Sequence, residues 1–201
     1  MDVKSIIIDC DTGVDDALAL LLALRSPALS VRGITTVSGN VTLDKVVPNT
    51  LRVVEHAGRH TSVYLGAAAS LLGHTITAEM IHGSDGLGDL DFPPPAAEPQ
   101  KQHAVDFLVD TYLNEKNPPQ LVTLGPLTNV ALALPFLYTG SLLLESFFGI
   151  PGLGYLSLNA IHSSDVDVVR AVVLVGALLF TAANILADVA LAWADPRVQL
   201  S

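Results

Sequence analysis

Apolar residues in the first two thirds of the chain follow two alternating patterns, which predict strands followed by helices. Short, nearly continuous apolar runs predict strands at 4–10, 31–37, 62–65 and 121–124. Apolar residues at helical spacing predict helices at 14–25, 43–58 and 102–115, with another beginning over 127–134. Because strands alternate with helices, the pattern predicts an α/β fold with a parallel sheet and right-handed crossovers.

The segment 74–99 breaks this alternation, because it is rich in Gly, Asp and Pro. It predicts a long loop, and loops of that length are usually functional or mobile. Ligands of open parallel sheets gather at the carboxyl ends of the strands. We therefore expect any binding site to lie at that edge of the sheet.

The pattern changes again after Leu134, where charged residues become few and two long apolar stretches follow. The stretch 136–150 contains a single charged side chain, and the stretch 168–193 contains two. The uncharged run 171–187 is about the lower limit for a membrane span of roughly 17 to 25 residues. Hydropathy alone leaves open whether these stretches are buried helices of an enzyme or membrane spans.

Composition excludes several classes of protein. Half of the 201 residues are hydrophobic and the mean hydropathy is +0.51, which is high for a soluble protein. The net charge of −10 argues against nucleic-acid binding, since phosphate contacts need a basic surface. The single Cys10 excludes an internal disulfide framework and a cysteine-rich zinc site, and its place in an apolar strand favours a core residue over a nucleophile. Met1 begins no signal-peptide pattern, which predicts a cytoplasmic start.

Four carboxylates follow or end the first strand: Asp9, Asp11, Asp15 and Asp16 lie around one strand-to-helix turn. Their mutual repulsion would raise their pKa values or push the turn apart unless a positive charge lies among them. The dipole of the following helix favours Asp15 and Asp16 but is too weak to balance all four. A hard cation with oxygen ligands would balance them, and calcium suits several carboxylates better than magnesium does. The alternative is an ordinary helix start with acidic first-turn residues.

The same residues carry a resemblance to a known family. Asp9, Asp11, Asp15 and Asp16 match the DxDxxxDD motif of the inosine-uridine-preferring nucleoside hydrolases, with Thr12 where that family usually has Pro. Five further blocks resemble the family in its order and spacing, at 33–55, 63–68, 81–89, 103–110 and 121–134.

The resemblance implies that Asp11 and Asp16 bind calcium together with the carbonyl of Leu124. It implies that Asp15 is the general base, taking a proton from a calcium-bound water that attacks the anomeric carbon of the ribose. A divalent cation lowers the pKa of its water, and a carboxylate at a helix start remains ionised. The resemblance thus implies a Rossmann-like domain over residues 1–134 that hydrolyses the N-glycosidic bond of ribonucleosides with Ca²⁺ as cofactor.

Two further residues match substrate-binding positions of the family. Asn40 matches a position that contacts the ribose, and its alternative interpretation is a turn-forming Asn after Gly39. His82, in the long loop, matches a position near the base of the nucleoside, and its alternative interpretation is a solvated surface residue.

Residues 135–201 resemble a different family, the permeases of dipeptide and oligopeptide ABC transporters at their carboxyl end. The matching residues are Glu145, Phe148, Pro151, Gly152, Leu153 and Gly154, and the closing Asp195, Pro196 and Arg197. This resemblance favours membrane spans, and it implies an all-α tail of two long helices around an outer loop at 149–167. The tail would anchor the chain in a membrane through residues 136–193. Permease or ATPase subunits are expected as partners only if this tail is functional.

The chain is therefore interpreted as a fusion with its junction near Leu134 and Pro135. The second half of the hydrolase family supplies another calcium-binding Asp, ribose-binding Asn and Glu residues, and a His near the base. No segment after Leu134 resembles those motifs; His162 and Asp165 have suitable chemistry but match the permease-like pattern. Three functions remain: a calcium-dependent nucleoside hydrolase impaired by truncation, a fragment of a transporter permease, and a non-catalytic remnant.

Overall fold

The computed structural model describes residues 3–71, 73, 77–90, 92–148 and 152–194. The chain divides into two compact units, residues 1–130 and residues 131–201. The strands of the described residues are β1 (Lys4–Cys10), β2 (Leu29–Thr36), β3 (Val63–Tyr64) and β4 (Gln120–Thr123). The helices of the first unit are α1 (Val14–Arg25), α2 (Leu43–His56), α3 (Glu79–His82) and α4 (Ala104–Asn114), and α5 (Thr128–Phe148) begins in it.

The four strands form one sheet in the order β3-β2-β1-β4, and every neighbouring pair is parallel. This confirms the predicted α/β fold with a parallel sheet. The chain moves from β1 outward to β2 and β3, and then returns to place β4 on the other side of β1. The strand order therefore reverses between β1 and β4, which is where open α/β sheets open a crevice for ligands.

Strand β1 lies in the interior of the sheet because its residues are apolar toward both faces. Ile7 and Ile8 are almost completely buried, as expected for a parallel strand that is covered on both sides. Helix α2 packs its apolar face against this core, and four apolar residues at helical spacing are all buried there: Val46, Val47, Leu51 and Val54. Burial of each such side chain contributes about 1.5–3 kcal/mol relative to leaving it in water.

The predicted boundaries of the elements of the first unit agree with the structure to within two residues, except in the long loop. The segment 74–99 contains the single-turn helix α3, so it is not irregular throughout. Beyond α3 its described residues are mainly turns and bends, which agrees with the Gly- and Pro-rich sequence.

The second unit, which continues α5, also contains α6 (Leu153–His162) and α7 (Val166–Ala194). The prediction of only two helices around a loop at 149–167 is wrong, because α6 occupies most of that segment. Residues 153–162 contain no proline and an extended Gly152 precedes them, so nothing in this stretch prevents a helix. Pro135, at the predicted junction, lies inside α5.

The expected membrane span over 136–193 is not supported. Among the residues that the structure describes, no helix is long and apolar enough to cross a membrane. Several residues of the permease-like pattern lie outside the described residues, namely Pro151, Asp195, Pro196 and Arg197.

Candidate metal and substrate site

The end of β1 and the end of β4 bring the predicted site residues to the crevice where the strand order reverses. Asp11 follows β1 directly, and Leu124 follows β4 directly. The backbone N–H of Leu124 donates to the carbonyl of Asp9 at 2.8 Å, which ties the end of β4 to the end of β1. The carbonyl of Leu124 as a metal ligand stays a prediction.

Asp11 and Asp16 form a buried pair of carboxyl groups at this crevice, each 5% exposed. Asn40 contacts both: its backbone N–H donates to Oδ2 of Asp11 at 2.7 Å, and its Nδ2 donates to Oδ2 of Asp16 at 3.1 Å. The N–H of Gly13, the residue before α1, donates to the same Asp16 oxygen at 3.2 Å. Asn40 therefore does more than form a turn, because it links two carboxyl groups that would otherwise repel each other.

Burial dominates the electrostatics of this pair. Removal from water, and next the negative charge of Asp16, raise the pKa of Asp11 to about 7. Burial also raises the pKa of Asp16, although the hydrogen bond from Gly13 opposes that rise. In the protein alone, two ionised carboxylates at this position therefore lack a compensating charge, and either a shared proton or a cation stabilises them.

Two glycines allow the backbone to pack closely against Asp11. A Cβ at Gly39 would overlap the carboxylate of Asp11, and a Cβ at Gly125 would lie 2.6 Å from Asp11 Oδ1. The loops after β2 and after β4 thus approach Asp11 more closely than any residue with a side chain would permit. Oxygen donors in a tight cradle without competing side chains fit a hard cation such as calcium.

Asp15 lies beside this pair but faces outward. Its side chain is 78% exposed, and its Oδ1 lies 3.7 Å from Nδ1 of His82. The same His82 nitrogen accepts a hydrogen bond from the N–H of Val14 at 3.3 Å. His82 is 8% exposed, so it is not the solvated surface residue of the alternative interpretation. The structure thus brings His82 and Asn40 together at the start of α1, because a Cβ at Gly13 would lie 2.7 Å from a side-chain nitrogen of each.

Asp9, in contrast, is held inside the protein by residues of β2 and α5. It is completely buried and accepts hydrogen bonds from Oγ1 of Thr35 at 2.5 Å and from Nδ2 of Asn129 at 2.8 Å. Burial raises its pKa to about 6. Among the described residues, no three His, Cys, Asp or Glu side chains converge as ligands for one ion. The four carboxylates of the motif therefore have three environments. Asp11 and Asp16 form a buried pair, Asp15 is exposed and is the candidate general base, and Asp9 is buried among structural hydrogen bonds.

Sequence reasoning missed two polar contacts beneath the site. Asn129, at the start of α5, was not singled out, although an Asn directly before an apolar run could have signalled a buried amide. The hydroxyl groups of Thr12 and Thr50 form a hydrogen bond of 2.7 Å, and both residues are completely buried. This contact joins the β1–α1 turn to α2.

The remaining candidates lie in the second unit. His162 ends α6, and Asp165 accepts a hydrogen bond from the N–H of Val168 at 3.1 Å, as a residue at a helix start does. Cys10 is completely buried, and burial raises the pKa of its thiol, which confirms the core interpretation.

Comparison with known proteins connects this geometry to a family. Residues 6–136 match the family model described as inosine-uridine preferring nucleoside hydrolase. The pyrimidine-specific ribonucleoside hydrolase RihB of Escherichia coli is 39% identical over 134 residues, which are 67% of this chain and 43% of RihB. An uncharacterized protein of Schizosaccharomyces pombe is 45% identical over 131 residues, which are 64% of this chain and 42% of that protein. The chain thus spans less than half the length of the curated relatives it matches.

Solved structures give the same result. The plant nucleoside hydrolase PpNRh1 superposes with a TM-score of 0.63 at 39% identity, over 68% of this chain and 44% of that enzyme. The purine-preferring ribonucleoside hydrolase of Gardnerella vaginalis superposes with a TM-score of 0.61 at 35% identity, over 66% of this chain and 43% of that one. Residues 124–200 match a second family model, described as a binding-protein-dependent transport system inner membrane component.

Proposed function

Since the chain belongs to the inosine-uridine preferring nucleoside hydrolase family through residues 6–136, we propose that its first unit hydrolyses the N-glycosidic bond of ribonucleosides in a calcium-dependent reaction. The observation that carries this proposal is the buried pair of Asp11 and Asp16 in the crevice between β1 and β4, linked by Asn40. A pair of buried carboxyl groups with raised pKa values in a cleft is a typical functional site.

In the proposed site, Asp11 and Asp16 hold the cation, with the carbonyl of Leu124 as a further ligand. Calcium, when bound, supplies Lewis-acid activation of a water molecule. Asp15 accepts the proton of the attacking water, a role that suits an exposed carboxylate beside the metal ligands, in the first turn of α1. Its side chain is 78% exposed, so a bound substrate and its attacking water could reach this carboxylate.

Asn40 and His82 orient the substrate in this proposal. Asn40 presents its amide beside both carboxyl groups, where ribose hydroxyl groups would be within reach of it. His82 accepts from the N–H of Val14 through Nδ1, and a neutral imidazole that accepts through Nδ1 carries its proton on Nε2, where it can donate. Cleavage of an N-glycosidic bond passes through a state with positive charge on the sugar, which nearby carboxylates stabilise.

We expect turnover to be slow. Calcium takes six to eight oxygen ligands, and the described residues of the first unit bring two buried carboxylates and nearby carbonyls to the crevice. A substrate held by few groups is also poorly oriented, and orientation can supply roughly 7 to 11 kcal/mol of a reaction barrier.

The test measures release of free base from inosine and from uridine by the purified full chain. Asp15→Asn should lower the rate by about 10²–10⁴-fold, the usual contribution of a general base. Asp44→Asn is the matched control, because Asp44 is also an exposed first-turn aspartate, at the start of α2. A chelator should abolish the rate of the parent chain. Turnover that survives both the chelator and Asp15→Asn would contradict the proposal.

A second candidate function rests on the match of residues 124–200 to the transport component. We propose that α5, α6 and α7 are a helical segment derived from a transporter permease, with permease or ATPase subunits as partners if it is functional. Carbonate extraction of the expressed chain tests this assignment. Recovery of the full chain in the carbonate-soluble fraction would contradict it and leave the nucleoside reaction as the sole proposal.

A further inference from the structure

Asn129 is the most completely hydrogen-bonded polar side chain beneath the candidate site. It is completely buried, and both N–H groups and the oxygen of its amide find partners. Its Nδ2 donates to Oδ1 of Asp9 at 2.8 Å and to the carbonyl of Thr36 at 2.9 Å, and its Oδ1 accepts from the N–H of Ala67 at 2.9 Å.

These three partners follow or end three different strands. Asp9 is in β1, Thr36 ends β2, and Ala67 lies in the segment after β3. A Cβ at Gly66 would overlap the amide of Asn129, so the backbone there approaches this side chain as closely as it can. One side chain at the start of α5 thus connects the carboxyl ends of β1, β2 and β3.

The connection reaches the candidate metal ligands through Asp9. Asp9 lies two residues before Asp11, and its carbonyl accepts the N–H of Leu124 at 2.8 Å. Asn129 therefore donates a hydrogen bond to the side chain of Asp9, and the backbone carbonyl of Asp9 accepts one from Leu124. Asn129 itself contacts neither Asp11 nor Leu124 through these bonds.

We propose that Asn129 is a positioning residue of the candidate site: by fixing Asp9 and the strand ends, it sets the separation between Asp11 and Leu124. The inference rests on the proposed function for the role of that separation in calcium binding. Residues that orient metal ligands from outside the coordination sphere typically change metal affinity by 10–100-fold when they are replaced.

The alternative is that Asn129 is simply a well-satisfied core residue. Asn49 provides a matched control, because it is also 1% exposed or less and its amide makes two hydrogen bonds, against three for Asn129. Its Nδ2 donates to the carbonyl of Asp85 at 2.7 Å, and its Oδ1 accepts from Nη1 of Arg52 at 2.8 Å. Removal of either amide costs stability, but only Asn129 is connected to Asp9.

The experiment compares Asn129→Ala and Asn49→Ala in the full chain by calcium titration calorimetry and by amide hydrogen exchange. Asn129→Ala should weaken calcium binding at least about 10-fold and speed the exchange of the Leu124 amide, which Asn129 does not touch. Asn49→Ala should leave calcium affinity within about twofold and Leu124 exchange unchanged. Equal effects of the two variants on both readouts, or none from Asn129→Ala, would overturn the inference.

If Asn129→Ala does not fold, a second pair of variants, in which the amide and the carboxylate of Asn129 and Asp9 are exchanged, still tests the inference. Asn129→Asp retains the acceptor for Ala67 but places a second carboxylate against Asp9. Adding Asp9→Asn restores one amide and one carboxylate, so the double variant should bind calcium more tightly than Asn129→Asp alone. Absence of this rescue would show that Asn129 does not act through Asp9. If the parent chain binds no calcium, the proposed function fails, and Leu124 exchange in the same variants still decides the positioning role.

Discussion

Gly39 lies so close to Asp11 that a single added methyl group would overlap the carboxylate. We therefore predict that Gly39→Ala displaces the Asp11 side chain or the loop after β2. Calcium affinity should fall at least about 10-fold, in the range seen when the surroundings of metal ligands are disturbed. Titration calorimetry measures this, with Ser38→Ala as the neighbouring control, because the hydroxyl that this change removes makes a long 3.4 Å hydrogen bond to the carbonyl of Val41. Calcium binding equal to that of the parent would mean that Asp11 is not a ligand.

Asp11 should destabilise the metal-free chain. Its pKa of about 7 means that, at pH 8, the folded chain carries an ionised carboxylate that burial disfavours. Asp11→Asn removes this charge and keeps an acceptor for the N–H of Asn40, so unfolding in chelator should require on the order of 2 kcal/mol more free energy. Asp44→Asn, at an exposed position, should change stability by less than about 0.5 kcal/mol. Urea titration with chelator measures both, and a loss of stability in Asp11→Asn would contradict the prediction.

Acidification should stabilise the metal-free chain. Burial raises the pKa of Asp9 to about 6 and that of Asp11 to about 7, whereas an unfolded Asp titrates near 3.9. The folded chain therefore binds protons more tightly than the unfolded chain, so stability rises as the pH falls from about 8 through these pKa values and levels off near pH 4. Urea midpoints at pH 8, 7, 6 and 5 in chelator test this. A midpoint that falls steadily over the same range would indicate carboxylates that are ionised and paired.

Calcium should reverse this dependence of stability on pH, because it binds the ionised carboxylates. Its apparent affinity should decrease as the pH falls from 8 to 6, since protons compete for Asp11 and Asp16. Calcium binding should therefore release protons, and calorimetry in buffers of different ionisation enthalpy measures this release. Binding without proton release near pH 7 would place the cation away from this pair.

Asn40→Ala should weaken the link between the two carboxyl groups without removing either. The bond from Nδ2 to Asp16 is lost, whereas the backbone bond to Asp11 remains. We expect a loss of about 1 kcal/mol in stability, typical of one buried hydrogen bond, and a several-fold loss of calcium affinity. Asn114→Ala is the control, because the amide of Asn114 donates to the Asp110 carbonyl at an exposed site. Identical calcium affinities in both variants would count against the role of Asn40.

The sequence predicted the elements around the site because they depend on local patterns. The apolar run of β1 and the acidic start of α1 are sufficient to place Asp11 and Asp16 near each other. Adjacent helical residues point about 100° apart, so Asp15 and Asp16 could not both face Asp11. The structure assigns the inward direction to Asp16 and the outward one to Asp15.

Long-range contacts explain what the sequence did not predict. The sequence groups Asp9 with the other three aspartates of the motif, whereas its hydrogen-bond partner Asn129 lies 120 residues away. A window of nearby residues does not include Asn129, so the local pattern could not predict this contact. The loop at 149–167 is a different case: the resemblance to a permease predicts it as the connection between two long helices, whereas residues 153–162 form α6.

The position of β1 between β2 and β4 has a consequence for the order in which the chain folds. Asp9 meets Thr35 across 26 residues but meets Asn129 across 120, so closing the second loop costs about 1.4 kcal/mol more entropy. At a synthesis rate of roughly 5–20 residues per second, the second contact becomes available some 5–20 s after the first. Pulse-labelled hydrogen exchange should therefore show β1 amides protected on the β2 side before the β4 side. Until β4 has been synthesised, the nascent chain on the ribosome has β1 as an edge strand, unpaired on the β4 side. The aspartates at the end of β1 are then exposed to water before the loop of Leu124 covers them.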